Sequence, residues 1–211
     1  MSVALTYLVT RLQTDVPARN NVPSGDQYIQ AVKDAVDDYS NRNPRRKRST
    51  LAMVSGTDTY DLPVDFVRAI TLNPMLATEG VLVTDNGLIP VSASYEEEYT
   101  IAGGQITFYP TPGYTTSRYL WYAAGHVLDD ADNYPEMTRD EARVIHLKAQ
   151  AIALQMQANK TAQEAWQYAI GDERVSKEKL ADSLGKQASQ MQQDYLAAVE
   201  EQVGPVGMRP G

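Results

Sequence analysis

The apolar residues of this chain change their spacing twice, and those two changes limit its fold more than any motif does. Up to about residue 44 they recur at intervals of three and four. From about Thr50 to Ala123 they alternate, and from Thr138 to Gln202 they return to the helical interval. A period of 3.6 places one apolar stripe along a helix and a period of 2 places one apolar face on a strand, so the order is helices, strands, helices. Packed in layers, that order gives an α+β protein: a helical bundle with an inserted antiparallel β-meander. The expected segments are N-terminal helices over residues 1–44, a β subdomain over 45–137, C-terminal helices over 138–202 and an extended tail over 203–211.

Local signals mark the ends of these segments. Leu5, Leu8, Val9, Leu12 and Val16 share one helical face, which Pro17 stops. Ser24 and Gln27 have the spacing of a capping box, and Tyr28, Val32, Ala35, Val36 and Tyr39 form a second stripe that ends at Asn43-Pro44. These two helices are expected to pack together. Within the alternating section, turns are expected at Gly56-Thr57-Asp58, Asp85-Asn86-Gly87 and Gly103-Gly104. Thr138 and Glu141 make another capping box ahead of Ala142, Ile145, Ala149, Ile152 and Met156. After a break at Gly171-Asp172, a last helix carries Leu180, Leu184, Ala188, Met191, Tyr195 and Ala198, and the glycines and prolines beyond Val203 cannot continue it.

The stretch ITFYPTPGY reads as a strand that runs into Pro110 and Pro112 and resumes at Ser117, where Tyr119 and Trp121 alternate with Leu120 and Tyr122. Proline cannot donate to a ladder, so the expectation is a hairpin with a stiff tip that presents Tyr109, Pro110, Pro112 and Tyr114.

Composition narrows the chemistry. With 211 residues, 43% of them hydrophobic, the chain can bury a sizeable core. It has no cysteine, which excludes disulfides, zinc–thiolate sites and thiol nucleophiles and fits an intracellular or virion setting better than secretion. The N-terminal stretch, with Thr6, Arg11 and Gln13 inside its apolar pattern, reads as an amphipathic helix and not as a signal peptide. No apolar run approaches the roughly 18 to 20 residues of a membrane span. His126 and His146 fall on different elements, and Asp129, Asp130, Asp132 and Glu136 read as an acidic solvated loop, without the ligand spacing of a calcium site. Glu96, Glu97 and Glu98 are consecutive and so point in different directions. Neither a nucleophile elbow nor a phosphate-binding glycine loop is present. The expectation is a chain without catalytic residues, metal or cofactor.

The net charge of −8 disfavours a protein that coats DNA. Against that background Arg45, Arg46, Lys47 and Arg48 gather four of the 19 basic residues in the link between the second helix and the first strand. They suit either a solvated loop that keeps an edge strand soluble, or a contact with DNA phosphates or with the carboxylates of a partner. Aromatic interleaving is missing from that stretch.

Three stretches in series, GTDTYDLPVDFVRAITL, GGQITFYPTPGYTTSRYLWYAAGHVLDDADNYPEM and DEARVIHLKAQAIALQMQ, resemble the head-to-tail adaptor (connector, or head completion) proteins of tailed bacteriophages. The resemblance runs from about Tyr28 to Met156, and by architecture to the last helix. It implies a structural virion protein of the neck, assembled in the host cytoplasm, with no enzymatic activity and no cofactor. It also implies a ring, usually of twelve copies, beneath the portal, with tail, stopper or nozzle proteins on its other side and packaged DNA passing through the lumen without sequence-specific binding. In that setting Arg45 to Arg48 and the tail residues Val203, Val206 and Met208 are expected to meet the portal or a neighbouring subunit. The hairpin tip with Tyr109, Pro110, Pro112 and Tyr114 is expected to face the tail or another subunit. Two other classes stay open. One is a small DNA-binding regulator that uses the first two helices and Arg45 to Arg48, and the other is an enzyme with an acidic site at Asp129 to Glu136.

Overall fold

The computed structural model describes residues 2–72, 81–84, 87–90, 98–113, 115–167 and 172–203. In chain order the elements are β1 (Val3–Ala4), α1 (Leu5–Asp15), α2 (Gly25–Arg42), β2 (Arg45–Met53), β3 (Thr59–Asp61), β4 (Phe66–Leu72) and β5 (Val81–Thr84). There follow β6 (Gly87–Pro90), β7 (Glu98–Ala102), β8 (Gln105–Tyr109), β9 (Thr116–Ala124), β10 (Asn133–Tyr134), α3 (Arg139–Gln167) and α4 (Asp172–Val203). The fold class is α+β, with antiparallel strands inserted between two pairs of helices. The chain divides into two units, residues 1–43 with 126–211 and residues 44–125.

The helical unit is built around the stripes read from the sequence. Leu8 and Leu12 of α1, Val32, Val36 and Tyr39 of α2, Ile145 of α3 and Tyr195 of α4 are all buried in one cluster. Both capping boxes form. The Ser24 hydroxyl accepts from the Gln27 backbone while the Gln27 side chain accepts from the Ser24 backbone, and Thr138 and Glu141 repeat the exchange. Each closes orphan N–H groups at a helix start, a contribution of about 1 kcal/mol. α3 and α4 span roughly 44 and 48 Å at 1.5 Å per residue. They pack along one another, and alanines are buried on both helices, among them Ala149, Ala153, Ala158 and Ala165 on α3 and Ala181 and Ala188 on α4. The bend between α1 and α2 is tied down as well, since Gln157 of α3 donates to the carbonyls of Pro17 and Val22.

Residues 126–137, which the sequence groups with the β insertion, pack with the helices. β10 pairs with β1, and Tyr134 and Met137 lie in the helical core. In the last helix Leu180 is 37% exposed, and the buried line runs instead through Ala181, Leu184, Ala188, Tyr195 and Val199.

The β unit contains two of the hairpins expected between consecutive strands. β7 and β8 meet through Gly103 and Gly104, both at positive φ as a tight two-residue turn requires. β5 and β6 pair across residues 85 and 86; Asn86, the centre of that turn signal, lies outside the described residues. Other pairings join distant segments. β9 is central in the order β2-β9-β4, and β8 is central in β3-β8-β7.

That order corrects the expected hairpin at ITFYPTPGY. β8 and β9 flank the prolines but do not pair, because each finds its partners in a different sheet. Without N–H groups to offer a ladder, Pro110 and Pro112 carry the chain from one sheet to the next. Tyr109 is 53% exposed, whereas Pro112 is buried and its carbonyl accepts from the Gly56 backbone at 2.8 Å. Tyr114 lies outside the described residues.

Leu51, Met53, Ile106, Phe108, Leu120 and Tyr122 form the core of this unit. Leu120 is fully buried on the central strand, so truncating it leaves a cavity that neither flanking strand can fill. Leu120→Ala is expected to lower stability by about 2–5 kcal/mol in urea unfolding, while an exposed substitution such as Val64→Ala changes it by less than about 0.5 kcal/mol.

Candidate functional site

The four basic residues are not in a loop. The strand begins at Arg45, and the nine residues Arg45–Met53 pair without a break with β9, from Arg45 opposite Ala124 to Met53 opposite Thr116. The expectation of a link between helix and strand is therefore corrected. Nothing in the residues 45–50 is apolar, so their own pattern hides the strand; nine residues of backbone pairing with an apolar strand create it.

Pairing forces successive side chains to opposite faces. Arg45 and Lys47 share the inner face with Leu51 and Met53, and the burial pattern alternates accordingly. Arg45 donates to the Gly125 carbonyl at 2.9 Å. Lys47 lies 2.7 Å from Asp65, which also accepts from the Tyr122 hydroxyl at 2.9 Å. Burial alone raises the Asp65 carboxyl, but the hydrogen bonds from Lys47 and Tyr122 and the charge of Lys47 overrule it and hold the group below its ordinary 3.8.

Arg46 and Arg48 face outward. The Arg46 guanidinium sits 4.8 Å from the centroid of the Trp121 ring, and that of Arg48 sits 4.6 Å from Tyr119 and 5.8 Å from Trp121. On the far side of β9, register brings Arg68 and Thr71 of β4 to the same face, opposite Ala123 and Trp121. The result is a strip of guanidinium groups resting on aromatic rings. Each ring attracts the cation, and both arginines stay exposed to solvent. Among the described residues Arg46, Arg48 and Arg68 have no ion-pair partner. The interleaving that is missing from the linear stretch is thus supplied by β9. Trp121, Tyr119 and Arg68 escaped the sequence reading as site residues, although the alternation of Tyr119 and Trp121 with Leu120 and Tyr122 already marks them as one face.

The remaining candidates are structural or undescribed. His126 is buried, 3.6 Å from Glu141 and beside Tyr39, and His146 is buried 2.7 Å from Asp15. Burial would raise Glu141, but His126 and the hydrogen bonds from Thr138 bring it down to about 2. Asp129 closes a turn by accepting from the backbones of Ala131 and Asn133. Among the described residues no group of three or more His, Asp or Glu side chains is placed to hold a metal ion, and no helix is long and apolar enough to cross a membrane. Glu96 and Glu97 lie outside the described residues, as do Val206 and Met208; Val203 is the last residue of α4.

The inward pair yields a pH prediction. A carboxyl held below its unfolded value adds stability above that value and loses it as the pH falls through the folded one. Asp65→Asn should cost about 1–2 kcal/mol at neutral pH, discounted for the partial exposure of both partners. The gap to the wild type should narrow as unfolding is measured below about pH 4, and a gap independent of pH would refute the assignment.

A family model described as SU10 adaptor protein matches residues 5–204, which span both units. No curated protein matches the chain.

Proposed function

The chain belongs to the SU10 adaptor protein family, a family of phage adaptors with a structural role between head and tail, and we propose that it acts as a ring in the phage neck. In this reading the ring, usually of twelve copies, sits under the portal, presents its other side to tail, stopper or nozzle proteins, and continues the channel through which DNA passes. The observation that carries the reading is the family match over nearly the whole chain. The outward arginines on their aromatic rings support it, because exposed Arg, Trp and Tyr are the residues from which strong protein contacts are made. No catalytic step is assigned to any residue.

Within the neck, the basic strand is the contact with the portal or with a neighbouring subunit, through Arg46 and Arg48. Arg45 and Lys47 support it from behind. A second contact is the tail with Val203, Val206 and Met208. It leaves a helix whose end is fastened, since Gln202 accepts from the Tyr39 hydroxyl at 2.6 Å. The third is the exposed corner at Tyr109 and Pro110, directed to tail proteins or to another subunit.

Electron microscopy of the purified protein mixed with its portal tests the reading. Rings of copies bound to the portal are expected, and free protein with no portal-bound density would contradict it. At low micromolar concentration without the portal, light scattering should find monomers, and a stable free ring would show that no template is needed.

Truncation after Gln202 separates the tail from the fold. The shortened chain should keep the wild-type melting temperature and bind the portal about tenfold or more weakly, a loss of about 1.4 kcal/mol or more. Undiminished docking would leave the tail a frayed end.

A further inference from the structure

The charge distribution of the chain bears on what could cover the outward strip. The β unit carries six basic and eight acidic residues, and the helical unit thirteen and nineteen, so the excess negative charge lies mostly on the helical unit. The β unit nonetheless displays Arg46, Arg48 and Arg68 on one sheet face, with no acidic side chain among the residues that share it in β2, β9 and β4. On the helical unit Asp34 and Asp37 are both exposed, one turn apart on α2, and neither is in an ion pair among the described residues. The two aspartates act on one another. Burial and then the charge of Asp34 raise Asp37, and after burial the charges of Asp37 and Asp132 raise the neighbouring Tyr134 hydroxyl to about 12. The same chain therefore exposes a cationic strip on one unit and an unneutralised acidic surface on the other.

We infer that the outer face of the β2-β9-β4 sheet, through Arg46, Arg48 and the rings of Trp121 and Tyr119, docks on the acidic α2 surface at Asp34 and Asp37 of a second copy. Two different surfaces meeting head to tail form a heterologous contact, the kind that closes rings. A guanidinium attracted to a ring 4.6 to 4.8 Å away loses less freedom than an unrestrained side chain when it meets a carboxylate. The inference deepens the ring reading and rests on it in one respect, that copies of the chain stand side by side. A polyanion such as DNA is the competing occupant.

The test is charge exchange on the full chain, read by sedimentation at high protein concentration and low ionic strength. The wild type is expected to self-associate, and R46E/R48E and D34K/D37K should each weaken that association about tenfold or more, with unchanged melting temperatures. Combining all four substitutions in one chain should restore most of it, because the reversed charges again face one another. A wild type that stays monomeric throughout, double variants that associate as the wild type does, or a fourfold variant without recovery would each overturn the inference. A short mixed-sequence duplex is added in parallel. Salt-dependent binding that R46E/R48E abolishes, with self-association unchanged, would give the strip to phosphates instead. Portal docking of the same proteins is scored separately: a wild type that docks while the charge exchange fails leaves the adaptor reading standing and removes only this pairing.

Discussion

The pairing of β2 with β9 is the interaction on which the β unit and its outer surface depend. A run of Arg-Arg-Lys-Arg has no apolar face of its own, and alone it would repel itself into an extended loop. Nine residues of antiparallel ladder give it a face. One half of the run then turns inward, where Lys47 meets Asp65 and Arg45 meets the Gly125 carbonyl, and the other half turns outward over Trp121 and Tyr119. A displacement of the register by one residue would exchange the two sets. Arg46 and Arg48 would be driven toward the core and the inner pairs would be lost, so the core and the outward strip are specified together.

The central position of β9 has its own cause in the chain. Pro110 and Pro112 end β8 and prevent the following strand from folding back on it, and Pro112 is then held by the turn at Gly56. β9 is left to pair on both of its edges, with β2 from far upstream and with β4. Two prolines therefore convert a local hairpin into a long-range junction, and Leu120 at its centre is fully buried as a result.

What could be read beforehand follows from how local the forces are. The helices, their caps at Ser24 and Thr138 and the stripes on α1 and α2 were legible because each depends on residues three or four apart. The boundary of the insertion was not, since residues 126–137 show no helical pattern and join the helices only through the pairing of β10 with β1 and the burial of Met137. The basic residues were visible as a cluster, but their division into inner and outer sets was not, because it is imposed by a strand about 70 residues further along the chain. The aromatic partners of Arg46 and Arg48 lay in plain view as an alternating strand, and only the register connects the two.

The caps, the shared core and the long contact of α3 with α4 hold the helical unit together, and that unit carries most of the chain's excess negative charge. Everything proposed for the β unit rests on the basic run being a strand. Residue-resolved amide hydrogen exchange measures this directly. β2 lies at the edge of its sheet, so only every second N–H along Arg45–Met53 points to β9, and protection should alternate along those nine residues. Uniformly fast exchange from Arg45 to Arg48 would return the basic run to a loop and remove both the inward pairs and the outward strip.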